Sequence, residues 1–238
     1  MLPSSPKSYS GKICVALAGK TSAEMMALAQ SAAVQQADVL EIRLDSLAVP
    51  TIAPFIGTLS TPLLFTNRAA WEGGSFSGSE IDRINLLQQA IEAGAAYVDI
   101  ELKTDSGLRE ALLKQAAAQG TQTIVSWHNF SSTPSPQALR AILQEQYRSQ
   151  ASIGKIVTMA QSFQDVLRVL DLQAEAAEIG LPLIAFCMGQ VGVISRVASL
   201  GLGGYMTYAA ADESLGTAPG QMTISSLLLI TRELANAG

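Results

Sequence analysis

The chain has one histidine in 238 residues, two cysteines, and charged side chains at only 15% of its positions. Each scarcity excludes something. The cysteines, Cys14 in KICVALAG and Cys187 in PLIAFCMG, stand apart inside apolar runs. They give no zinc-ligand spacing and read as buried free thiols. The formal net charge of −5 and the pI of about 4.9 argue against nucleic acid as a partner, because phosphate binding needs a surplus of Lys and Arg. An anionic ligand would have to be held by a few local cations. No apolar stretch approaches the roughly 20 residues that cross a bilayer. The N-terminal MLPSSPKSYSGK lacks the apolar core of a signal peptide. A soluble, cytoplasmic protein with no membrane partner is the expectation. No G-x-G-x-x-G follows the first predicted strand, where ALAGKTSAE holds a single glycine, so a dinucleotide-binding open sheet is disfavoured.

What is present is an alternation. Hydrophobic residues make up 48% of the chain, ample for a globular core. Near-continuous apolar runs of the kind found in strands buried on both faces occur at 12–19, 37–45, 62–68, 95–102, 121–127, 154–160, 181–189 and 203–209. Ala- and Leu-rich helical patterns follow them at 21–36, 51–59 (weak, interrupted by proline), 78–93, 106–118, 136–149, 161–180, 190–199 and 219–236. Thr21 with Glu24 three residues on is a capping box at the head of the first helix. Eight strand–helix units in this length predict one α/β domain over 1–238, a single (β/α)8 barrel.

In such a barrel the active site lies at the C-terminal ends of the strands. Read in order, those ends carry Glu41, Arg43 and Asp45; Arg68 with Glu72 beyond it; Asp99, Glu101 and Lys103; Ser126 and His128; then Arg196 after the seventh strand, and Ser214, Thr217 and Gln221 after the eighth. Lys155 heads the sixth strand. It is either a solvent-end lysine or an inward one, and an inward lysine is costly unless neutral or paired. A neutral inward lysine could attack a carbonyl and form an imine. His128, Glu72 and Arg196, each taken alone, could be a structural histidine, a solvated loop carboxylate and a helix-surface cation. Converging on one barrel mouth, they make up the base, orienter and anion-binding groups of a Schiff-base enzyme acting on an anionic carbonyl compound.

The chain resembles the type I 3-dehydroquinate dehydratases. The resemblance runs from ICVAL to APGQ and rests on EIRLD (41–45), FTNRAAWEGG (65–74), SWHNF (126–130), GKIV (154–157), MGQVGVISR (188–196) and APGQ (218–221). It implies a dehydration of 3-dehydroquinate to 3-dehydroshikimate, in the shikimate pathway of aromatic amino-acid biosynthesis. Lys155 would form the imine with the C3 ketone. His128 would take the C2 proton and later protonate the departing C1 hydroxyl, with Glu72 orienting it. Arg196 would grip the substrate carboxylate; Glu41, Arg43 and Arg68 would hold the ring hydroxyls and shape the pocket; Thr217 and Gln221 would belong to the closing loop. No metal or organic cofactor is implied, and a homodimer is. One departure stands out: Asn129 replaces an aspartate usual in the family, which predicts that Asn129→Asp shifts the pH–rate profile. The Gly- and Ala-rich 201–211 with the following 212–220 suggests a lid. Other Schiff-base barrels, such as class I aldolases or transaldolases, share a lysine on the sixth strand, but not the histidine of SWHNF or the arginine of MGQVGVISR. A barrel that has lost turnover and serves only for binding would lack at least one of the lysine, histidine, glutamate and arginine, and none is lacking.

Overall fold

In the computed structural model, which describes residues 11–31, 33–212, 216 and 218–236, all eight apolar runs are strands. They are β1 (Lys12–Leu17), β2 (Val39–Arg43), β3 (Leu63–Thr66), β4 (Tyr97–Glu101), β5 (Gln122–Asn129), β6 (Ile153–Met159), β7 (Leu183–Met188) and β8 (Met206–Ala209). Every paired neighbour is parallel, in the order β7-β6-β5-β4-β3-β2-β1-β8. The barrel is nearly closed. Among the described residues no ladder joins β7 to β8, but the Tyr205 amide donates to the Leu183 carbonyl at 2.8 Å, and the Lys12 amide to the Tyr205 carbonyl at 3.0 Å.

The outer helices are α1 (Ser22–Ala29), α2 (Glu80–Glu92), α3 (Ser106–Gln119), α4 (Pro136–Arg148), α5 (Phe163–Leu170), α6 (Leu172–Ile179), α7 (Val193–Gly201) and α8 (Ile224–Asn236). The capping box of Thr21 and Glu24 is present at the head of α1. The helices do not fall one to each strand. The stretch 51–59 is a series of turns: Pro54 has no N–H to give a helix, and Gly57 adopts φ +75°. Ile52 and Phe55 fill the gap by packing inward, with Phe55 edge-on to Phe65. The predicted 161–180 helix kinks at Asp171 into α5 and α6, and there the Ala174 amide bonds three residues back to the Asp171 carbonyl. The predicted 21–36 helix ends at Ala29, with a separate 3-10 turn at Val34–Gln36.

Two apolar cores result. One lies between sheet and helices and includes Leu17, Leu40, Ile42, Phe65, Val98, Val125 and Ile156. The other fills the barrel with residues of the opposite parity, among them Cys14, Val39, Leu64, Tyr97, Ile124, Ile153, Ile184 and Met206. Cys14 and Cys187 are free and buried. No helix among the described residues is long and apolar enough to cross a membrane.

Candidate active site

Strand parity decides what enters the barrel. Residues two apart share a face, so Glu41 and Arg43 follow Val39 inward, Asp99 and Glu101 follow Tyr97, Ser126 and His128 follow Ile124, and Lys155 follows Ile153. Lys155 is therefore an inward lysine, 4% exposed, and not a solvent-end one. It starts low on β6, but its long side chain carries Nζ up to the mouth. Its burial is met by pairing: Nζ lies 3.0 Å from Asp99 Oδ2 and 3.1 Å from Tyr208 Oη. Gly154 beside it leaves space for Gln146 of α4, whose amide donates to the Val125 and Lys155 carbonyls at 3.0 and 2.8 Å.

Glu72 reaches the barrel on a 3-10 turn, Ala70–Glu72, that Gly73 ends at φ +77°. A side chain at Gly73 would run into the Phe130 ring, and one at Gly74 into the Arg68 carbonyl. The Gly-Gly pair is thus what folds Glu72 back over the mouth. There Oε2 stands 2.9 Å from His128 Nδ1, while Oε1 is buried with no hydrogen-bond partner among the described residues. The His128 ring stacks on Phe130. Burial pushes the Glu72 carboxyl up to about 8, against the pull of Arg68. Burial, then the Arg68 and Lys155 charges, pushes the imidazole well below its usual value. Both shifts disfavour a carboxylate–imidazolium pair.

A buried ionic network backs these groups. Arg68 reaches Asp99 at 2.8 Å, Glu101 at 3.0 Å and the Ser126 hydroxyl at 2.6 Å, and Ser126 in turn donates to Asp99 at 2.6 Å. Glu101 is also held by Arg83 of α2 at 2.5 Å. Burial works against the Asp99 charge, but Arg68 and Lys155 outweigh it and hold the carboxyl well below the usual range. Arg68 is engaged by these acids, a clamp at the wall more than a free hand for ligand hydroxyls. Arg43 is held bidentate by Asp45 at 2.9 and 2.7 Å, and Asp45 also accepts from the Arg68 and Ser75 amides. Glu41 accepts from Thr66 at 2.7 Å.

Arg196 of α7 differs. It is 1% exposed, and no carboxylate lies within ion-pair distance of it among the described residues. Among the described residues its Nε has no partner and its only hydrogen bond is from Nη2 to the Pro219 carbonyl at 3.4 Å; its guanidinium lies 4.5 Å over the Phe186 ring, and burial lowers its pKa to about 10. A buried cation without an acid is a site for an anion.

One cavity is lined by Glu41, Arg43, Arg68, Glu72, His128, Lys155, Arg196 and Gln221, together with Tyr208, Phe186, Met188 and Ala218. Every predicted site residue among the described ones faces it. Thr217, and Ser214 with it, lie outside the described residues. Three expectations change. Asn129 turns its side-chain oxygen to the Ser131 amide, the Ser131 hydroxyl and the Ser132 amide at 2.9, 2.9 and 3.0 Å, building the turn after β5. Residues 201–210 are the end of α7, a turn and the buried β8, so the 201–211 part of the expected lid is mostly regular structure; of 212–220, residues 213–215 and 217 lie outside the described residues. Asp99, Glu101 and Ser126, which the sequence reading noted at strand ends without giving them a role, and Tyr208, which it did not note, belong to the site or its backing; their inward parity was the signal.

The sequence of residues 13–236 matches the family model described as type I 3-dehydroquinase. A 3-dehydroquinate dehydratase of Desulfotalea psychrophila is 48% identical over 92% of this chain and 96% of its own length. Among solved structures, a 3-dehydroquinate dehydratase from Geobacillus kaustophilus superposes with a TM-score of 0.89 at 28% identity, covering 95% of this chain and 92% of that one. A type I 3-dehydroquinate dehydratase from Clostridium difficile, solved with covalently modified comenic acid, gives 0.85 at 26% identity, over 96% and 93%.

Proposed function

The chain belongs to the type I 3-dehydroquinase family, hydro-lyases of the shikimate pathway, and from that premise we propose that it dehydrates 3-dehydroquinate to 3-dehydroshikimate through an imine on Lys155, with His128 as general base and acid. The observation that carries this reading is the sharing of one cavity by the Lys155 amine, the His128 ring and Arg196, which has no acid in ion-pair distance among the described residues. Those are the groups needed to bind a carboxylate-bearing ketone and remove an adjacent proton.

The chemistry follows from the residue types. A proton beside a plain ketone is too weakly acidic for imidazole to remove quickly. Lys155 attacks C3 as the free amine, and the proton its ammonium gives up leaves with the carbonyl oxygen in water, which gives an iminium that can accept electrons. His128 takes the C2 proton on Nε2, and the C–H electrons flow into an enamine. The enamine then expels the C1 hydroxyl, which leaves as water with the proton that His128 returns. Hydrolysis of the product iminium frees Lys155. Glu72 holds Nδ1–H so that Nε2 keeps its lone pair. Arg196 takes the substrate carboxylate, while Glu41, Arg43 and Arg68 shape the wall that Gln221 also lines; the family resemblance assigns Thr217 and Gln221 to a closing loop. This route uses no metal and no organic cofactor.

Incubation with 3-dehydroquinate, borohydride reduction and peptide mapping test the proposal. An adduct on Lys155, with conjugated-enone absorbance in the unreduced sample, is the expected result; neither adduct nor enone removes it. A single catalytic domain over 1–238, a homodimer and a cytoplasmic location belong to the same reading, supported by the family resemblance. Sedimentation and one-step unfolding check the first two.

A further inference from the structure

Arg196 is a buried cation that the protein holds by little. No acid lies within ion-pair distance among the described residues, and its one hydrogen bond there, from Nη2 to the Pro219 carbonyl, is long at 3.4 Å. The other contact is the face of Phe186, whose ring centroid lies 4.5 Å from the guanidinium carbon. Strand and helix bring the two together. Phe186 shares the inward parity of Ile184 and Met188 on β7 and is 3% exposed. The next residue, Cys187, donates its amide to the Ser195 hydroxyl at 2.8 Å, and that hydroxyl donates on to the Gly192 carbonyl at 2.5 Å. Ser195 precedes Arg196 in the first turns of α7, so a bond between their neighbours sets Phe186 and Arg196 opposite each other. Tyr208 backs the ring from β8, with centroids 6.0 Å apart.

Resting on the reading of Arg196 as the carboxylate site, we infer that Phe186 is a further positioning residue for this reaction: its π face holds the Arg196 guanidinium where the substrate carboxylate docks and leaves the charge unneutralised.

The residue type fits that task. An Asp or Glu at 186 would pair with the guanidinium, occupy its N–H donors and repel an incoming carboxylate. An aliphatic side chain would leave the cation with one long hydrogen bond. A ring face carries partial negative charge, attracts a cation above it and is no carboxylate acceptor, so donors stay available to the ligand. The ring offsets only part of the cost of burial. The Arg196 pKa still falls to about 10, which keeps the group charged at neutral pH and short of an anion.

The test replaces Phe186 with phenylalanines carrying one, two and three ring fluorines, which withdraw electrons from the ring face and nearly keep its shape. KM for 3-dehydroquinate should climb along the series to about tenfold, the worth of a desolvated cation–π contact, with kcat within about twofold because Lys155 and His128 are untouched. The same series in an Arg196→Met background should leave kcat/KM level, since the ring then has no cation to hold. A KM that stays level in the native background overturns the inference. So does a KM that falls, which would make the ring a competitor of the substrate for the cation. A slope that persists without the arginine overturns it too, because the ring would then act on the substrate directly, and a loss confined to kcat does the same by placing the effect at Lys155. Wild-type protein that leaves 3-dehydroquinate unchanged removes the carboxylate-site reading instead, a result distinct from all of these.

Discussion

His128 Nδ1 lies 2.9 Å from Glu72 Oε2, and the other Glu72 oxygen is buried without a hydrogen-bond partner among the described residues. A carboxylate so placed is desolvated, which is why its pKa rises to about 8. Below that pH the carboxyl keeps its proton and donates to Nδ1, which leaves the ring N–H on Nε2, the wrong tautomer for a base. Above it Glu72 accepts from Nδ1–H and Nε2 carries the lone pair. kcat/KM should therefore rise with pH through about 8. Glu72→Gln should erase that step and lower the plateau by about 10²-fold. The same substitution should stabilise the fold at alkaline pH. The native carboxyl binds a proton between its unfolded pKa and about 8 that the unfolded chain does not, so wild-type stability falls as pH rises through that window. The gain in Tm of Glu72→Gln over wild type should be larger at pH 8.5 than at pH 5, and equal gains would show that the charge is not the cost.

Asp99 works in the opposite sense. It holds Arg68, Lys155 and Ser126 together, and with Arg68 and Lys155 beside it stays ionised far below the usual range. Asp99→Asn leaves two buried cations short of a partner and should cost about 3–5 kcal/mol at pH 7. Because the native pKa is depressed, the stabilisation is present above the unfolded value of about 4 and is lost as pH falls below it. Urea melts from pH 7 to pH 2 check this: the deficit should hold down to about pH 4 and shrink beneath it.

The barrel was legible because its strands are apolar on both faces and alternate with capped helical runs. What failed did so for local reasons. Pro54 and Gly57 made a helix over 51–59 impossible, yet the apolar Ile52, Phe55 and Ile56 kept a helical rhythm there, since they plug a gap rather than line a helix. Lys155 could not be placed inside or outside from its own neighbours; only the parity shared with Ile153 and Val157 does that. Tyr208 passed unmarked because an aromatic in a strand is ordinary core, and its hydroxyl becomes notable only when Nζ is found 3.1 Å away.

The amide oxygen of Asn129 accepts three hydrogen bonds from Ser131 and Ser132, and this reverses the expectation that its charge state matters. An aspartate there would make the same turn, with stronger acceptance from the two backbone N–H groups. Asn129→Asp should leave the pH–rate profile where it is and hold or slightly raise Tm. A shifted profile would mean that the carboxylate is felt at His128 or Lys155 despite facing the turn.

Arg196 sets function against stability most directly. Its guanidinium is buried, with no acid within ion-pair distance among the described residues, and burial alone brings its pKa down to about 10. The native pKa is below the unfolded one, so at every pH under about 10 the folded state carries the full cost of that charge, and the cost is relieved only as pH rises past it. Arg196→Met keeps much of the contact with the Phe186 ring and removes the charge. It should raise Tm at pH 7 by about 3–6 °C, corresponding to ~1.5 kcal/mol. The same change should lower kcat/KM by about 10²–10³-fold through the loss of a buried charge pair with the substrate carboxylate. Borohydride trapping on Lys155 should survive at raised substrate concentration, because the amine and its partners are untouched. Scanning calorimetry beside steady-state kinetics reads both effects. A variant that is less active and also less stable would show that Arg196 is held in the fold by packing, and that the unpaired charge is not kept for the ligand.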